Sequence, residues 1–121
     1  MSKSILQEKS FLFAIRIVKL YKLIIEQKKE FIMSKQVYRS GTAVGALIRE
    51  AQNAESKMDF IHKLAIAQKE CDETLYWLEL LKATDYLTEN EFESIANDNT
   101  ELLKMLKSSI ITVKQSISKK L

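Results

Sequence analysis

Proline is absent from this chain, and glycine appears only twice, at Gly41 and Gly45. Proline breaks helices and glycine punctuates turns, so a chain poor in both is built from long helices with few, short connections. Cysteine appears once, which excludes an internal disulfide and a thiolate metal cluster. Cys71 falls on the most apolar face of its segment and reads as a small buried hydrophobe rather than a reactive thiol. His62 is the one histidine. The Asp59–His62 pair superficially matches the carboxylate-x-x-His element of di-iron bundles, but those sites need two such elements and two further carboxylates. His62 also falls roughly 160° from the core line of its helix. No Gly-rich phosphate loop or dinucleotide fingerprint occurs. No catalytic residue, metal site or cofactor is therefore expected, and the chain reads as a non-enzyme.

Long apolar runs are missing too. The Phe11 to Ile15 stretch is followed by Arg16, Lys19 and Lys22, and nothing approaches the roughly 20 apolar residues of a membrane span. The start lacks the apolar core and small-residue cleavage site of a secretory signal, so the expected location is cytoplasmic, with no membrane partner.

The composition is that of one folded domain spanning residues 1–121, 46% apolar and 29% charged. The net charge of +3 hides a segregation. Residues 1–53 carry 10 basic and 4 acidic side chains, residues 54–101 carry 4 and 12, and residues 102–121 carry 5 and none. Such a layout serves a polyanion partner or lets a basic flank meet an acidic one on another subunit.

Four helices are expected, at about 10–28 (with Ser4 as an alternative start), 34–53, 56–83 and 88–118. Ser56 and Asp59 read as a capping box. Thr88 and Glu91 form a second, with Leu87 and Phe92 at the staple positions. Asn97 to Thr100 is a weak point where the fourth helix is expected to bend, and the boundary at Glu30 to Met33 has no Gly or Pro to mark it. Lys114, Lys119 and Lys120 complement the last helix's dipole. Short connections make neighbours antiparallel, giving an all-α, up-down-up-down four-helix bundle. Core stripes advance by three and four: Val37, Gly41, Val44, Ile48 and Ala51 on the second helix, and Phe60, Leu64, Ala67, Cys71, Leu75 and Leu78 on the third. The two glycines each cost about 1 kcal/mol against alanine inside a helix, so close approach of a neighbouring backbone is expected there.

The first and third helices carry more apolar surface than one bundle needs. Leu12, Ile15 and Leu23 project from the far side of the first; Ile61, Tyr76, Trp77 and Leu80 lie off the main stripe of the third. Single exposed apolar residues are normal. Contiguous rows rimmed by charge mark subunit interfaces, and these rows are read so, as a homo-oligomer contact. The candidate phosphate-contacting residues are Arg16, Lys19 and Lys22 on the first helix, Lys35, Arg39 and Arg49 on the second, and Lys107 and Lys114 on the fourth. The competing reading is that these side chains are simply solvated.

Several runs carry a resemblance: Gly41-Thr-Ala-Val-Gly45, Ile48-Arg-Glu-Ala51, Asp59-Phe-Ile-His-Lys-Leu-Ala-Ile-Ala-Gln-Lys-Glu70, and Glu73-Thr-Leu-Tyr-Trp-Leu-Glu-Leu-Leu81. In these the chain resembles the bacterial four-helix-bundle proteins encoded by intervening sequences in 23S ribosomal RNA genes. The accessory variability determinant of diversity-generating retroelements belongs to the same group. The resemblance implies a homopentameric ring with a basic surface that engages RNA, DNA or a reverse transcriptase, and it implies no catalysis. The rival to nucleic-acid binding is a pure protein-interaction scaffold.

Overall fold

The computed structural model describes residues 4–119. Helix α1 spans Ile5–Leu23 and runs into a π-helical turn, Ile24–Lys28. Helix α2 spans Met33–Gln52, α3 spans Lys57–Ala83 and α4 spans Glu89–Ser118. Lys120 lies outside the described residues.

Helix starts follow the side chains that satisfy free backbone donors. Ser4 Oγ accepts from the Gln7 N–H, so α1 begins at the earlier of its two candidate starts. Ser56 Oγ accepts from the Asp59 N–H, but the Asp59 carboxylate returns to Glu55 rather than to Ser56. At α4 the box closes in both directions between Thr88 and Glu91.

The boundary before α2 uses no glycine. Lys29 takes the left-handed conformation with φ 53°. Glu30 then turns its buried carboxylate onto the start of α2 and accepts from the N–H groups of Ile32, Met33 and Ser34 at 2.7 to 3.0 Å. The Ser34 hydroxyl donates back to the Glu30 carbonyl. Burial pushes the Glu30 carboxyl up, but the hydrogen bonds from Ser34, Met33 and Ile32 outweigh it and hold its pKa below the ordinary value.

Cross-helix pairs fix the topology. Ser10 faces Gly45 and Ile17 faces Gly41. Ser40 faces Thr74, Glu50 faces Lys63, Cys71 faces Asn99 and Lys82 faces Glu89. Partner numbers fall as residue numbers rise, so sequential helices are antiparallel and form a four-helix bundle. Helices α1 and α3 stand at opposite corners, while α1 and α4 meet along the looser seam.

The core holds Phe13, Ile17, Val37, Val44, Ile48, Leu64, Cys71, Leu78, Leu102 and Leu106, all buried. The two glycines serve different neighbours. A Cβ on Gly45 would stand 3.3 Å from the Ser10 backbone oxygen, a true backbone approach. A Cβ on Gly41 would stand 2.7 Å from the Ile17 side chain, so that glycine makes room for a branched side chain rather than a backbone.

Helix α4 runs unbroken through the expected weak point at Asn97 to Thr100. Asn99 is instead buried, its Nδ2 donating to the Cys71 carbonyl at 3.0 Å, which gives this polar residue a reason to stay helical. Ile61 is not an outward interface residue. It is 8% exposed and belongs to the core of its own chain. The buried stripe of α3 moves around the helix, from Ile61 and Leu64 at the start to Thr74, Leu78 and Leu81 at the end. A 3.6-residue helix drifts by about 20° per heptad against a 3.5-residue repeat, so one fixed stripe misplaces the residues at its ends.

Candidate nucleic-acid interface

Eight basic residues were expected to contact phosphate, and the structure divides them. Arg16 lies on the α1–α4 seam. Its guanidinium donates to the Asp98 carboxylate at 2.6 Å, and to the carbonyl and hydroxyl of Ser94 at 3.1 and 2.9 Å. Lys9 closes the same seam on Glu101. Arg39 lies on the α2–α3 seam and donates to both Glu70 and Glu73. The hydrogen bonds to these two carboxylates raise its pKa. Glu73 in turn accepts from the Trp77 indole at 3.1 Å, and this contact and Arg39 lower its pKa. Two carboxylates beside one guanidinium leave that locality net negative. Arg16 and Arg39 are therefore committed inside their own chain, and neither offers a free cation to phosphate.

The remaining six are exposed: Lys19, Lys22, Lys35, Arg49, Lys107 and Lys114. None forms an ion pair among the described residues. They do not make one patch. Lys19 borders the α1–α4 groove with Leu12, Ile15 and Leu23. Arg49 borders the α1–α2 groove beside Gln7 and Phe11. Lys107 and Lys114 stand toward the end of α4.

The expected interface residues also divide. Leu12 is 61% exposed and Tyr76 56%, with Ile15 and Leu23 also open to solvent. Trp77 and Leu80 are half-buried, Trp77 packing on the edge of the core. Phe11, outside the expected interface set, is exposed on the same outer side of α1 as Leu12 and Ile15. Its signal was available, since starting α1 at Ser4 rather than Ser10 places Phe11 well inside the helix.

Burial pushes the Cys71 thiol up to about 12, which removes it as a nucleophile at neutral pH. His62 is exposed on α3. Among the described residues no cluster of His, Cys, Asp or Glu stands ready for a metal, and no helix is long and apolar enough to cross a membrane.

The family model described as 23S rRNA-intervening sequence protein matches residues 2–108. Among solved structures, the chain is similar to a crystal structure, at 1.70 Å resolution, of a protein with unknown function from the S23 ribosomal protein family of Bacteroides thetaiotaomicron VPI-5482. The two are 57% identical with a TM-score of 0.87, over 88% of this chain and 98% of that one. No curated protein matches.

Proposed function

The chain belongs to the 23S rRNA-intervening sequence protein family, and from that premise we propose that it is a non-enzymatic, ring-forming bundle whose unpaired cations contact the phosphates of RNA or DNA. The observation that carries the assembly is the outer face of α1, where Phe11, Leu12, Ile15 and Leu23 remain open beside Lys19 and Lys22. Across the bundle, α3 turns outward with Met58, Tyr76, Asp72 and Glu79. These faces sit at opposite corners, are both partly apolar, and carry rims of opposite charge. A contact between α1 of one copy and α3 of the next is heterologous, and such contacts form a ring when the rotation between copies closes. Five copies is the number the resemblance implies.

Light scattering at micromolar protein tests the assembly. The expected particle is a multiple of the 14.0 kDa chain, reduced to single copies by Leu12→Glu, which is exposed and leaves the monomer fold intact. Single copies of the unaltered protein would overturn it. Fluorescence anisotropy with labelled RNA tests the phosphate contact: affinity falls as salt rises, and binding that ignores salt removes that mechanism.

The second reading is a protein scaffold, for example a reverse-transcriptase accessory, with no direct nucleic-acid role. The internal pairing of Arg16 and Arg39 favours it. Nucleic acid carried through purification, seen as a high ratio of absorbance in the nucleic-acid band to that of protein, supports the first reading over the second.

A further inference from the structure

The second half of α4 is rich in cations and carries no acidic side chain. From Leu102 onward the sequence holds five lysines and no carboxylate side chain. Lys104, Lys107, Lys114 and Lys119 are all exposed, and none is ion-paired among the described residues. Lys9 meets Glu101 and Arg16 meets Asp98 and Ser94. That register brings the described start of α1 level with about Met105, and α4 continues beyond it to Ser118. This part is held to the bundle: Ile110 is buried, Val113 and Ile117 pack on the core, and the Lys57 ammonium donates to the Ser116 hydroxyl at 2.9 Å. At 1.5 Å per residue, Lys104 to Lys119 covers about 22 Å of rigid helix.

Resting on the phosphate-contact reading above, we infer that this lysine-bearing flank of α4 is the docking surface for the backbone of a nucleic-acid duplex, gripped without regard to base sequence. Three observations favour that occupant. First, the exposed polar residues between the lysines include Ser108, Thr112, Gln115 and Ser118, whose side chains suit phosphate oxygens. Second, the flank has no aromatic residue and no arginine. Base stacking on single strands needs an aromatic platform, and protein hot spots favour Trp, Tyr and Arg. Third, Ile111, at 55% exposed, is the one large apolar side chain of this stretch left open. It sits beside Lys114 and Lys119 in a shallow depression of about 470 Å³. A single open isoleucine is far short of the apolar face that an interfacial membrane helix inserts. The surface is also separate from the α1 and α3 faces assigned to assembly.

The test compares the unaltered protein with a variant carrying Lys104→Ala, Lys107→Ala, Lys114→Ala and Lys119→Ala. Alanine is the best helix former, so α4 is kept, and far-UV circular dichroism verifies it. Binding is read by anisotropy of a labelled RNA duplex, a DNA duplex and a single strand over a salt series. The expected result is binding of both duplexes ahead of the single strand. The slope of log affinity against log salt should be shallower in the variant by about 3 to 4, close to one unit per lysine. Lys28→Ala, exposed at the other end of the bundle from this flank, leaves the slope unchanged. A variant that matches the unaltered protein overturns the α4 assignment alone, since phosphate contacts elsewhere would still stand. An unaltered protein that binds no nucleic acid overturns both readings. Preference for the single strand overturns the duplex assignment. A change in native mass on removing the four lysines shows that they serve contacts between copies and overturns it too. So does binding to phosphatidylserine vesicles without binding to duplex.

Discussion

Replacing Glu30 tests how α2 begins without any conventional start signal. Its carboxylate accepts from three successive backbone N–H groups, and the Ser34 donor is fully buried while Ile32 is open to solvent. In Glu30→Ala the cap itself is worth about 1 kcal/mol, and leaving the buried Ser34 N–H unpaired adds about 1–3 kcal/mol. The expected loss is therefore about 2–4 kcal/mol. Glu30→Gln keeps one oxygen for Ser34 but points amide donors toward Ile32 and Met33 and removes charge from the helix start, so about 1–2 kcal/mol is expected. The folded-state pKa lies below the ordinary 4.5. The carboxylate's contribution is thus complete above that value and disappears as pH falls through the lower, folded one. Wild type and Glu30→Gln should converge in acid, because a protonated carboxyl resembles the amide. Urea unfolding followed by circular dichroism reads the differences, with protomer concentration held constant because assembly contributes to apparent stability. A Glu30→Ala protein within about 0.5 kcal/mol of wild type at neutral pH would refute the capping argument, and so would a Glu30→Gln gap that widens on acidification.

Gly41→Ala and Gly45→Ala gain the same helix propensity, about 1 kcal/mol each, but only the first collides with a fully buried branched side chain. Overpacking costs about 1–3 kcal/mol, so thermal unfolding should rank Gly41→Ala below Gly45→Ala by about 1–2 kcal/mol. Arg39→Ala should lower stability by no more than about 1 kcal/mol, as exposed ion pairs do, and should leave the salt slope of RNA binding unchanged. Cys71 should resist maleimide at neutral pH in the native protein and react once urea unfolds it; rapid labelling of the folded chain would contradict its burial.

Much of this was legible in the sequence because its causes are local. Thr88 and Glu91 are three residues apart, and their reciprocal cap formed as the spacing implies. The stripe Val37, Gly41, Val44, Ile48 and Ala51 is buried throughout, since the face of a helix follows from residue number alone. The failures are equally physical. Ile61 was misplaced because a stripe drifts along a 27-residue helix as its neighbours change. Glu30 was overlooked because its role depends on Lys29 adopting a left-handed backbone, for which the sequence carries no glycine signal.

The candidate interface shows the limit most clearly. Arg16 and Lys19 look alike in the sequence, both cations on the first helix. Arg16 is neutralised by Asp98, which lies 82 residues away and arrives only when α4 packs against α1. Arg39 meets Glu70 and Glu73 in the same manner across α2 and α3. Among the described residues Lys104, Lys107, Lys114 and Lys119 stay unpaired because the acid-free stretch runs past the described start of α1, a consequence of relative helix length and register. Sequence alone therefore settled the number of helices, the start of α4 and the buried face of α2, through forces acting within a few residues. The packed bundle decided which charges are spent internally and which remain for a partner, because Coulomb and hydrogen-bond contacts act between groups that only the fold brings within a few ångströms.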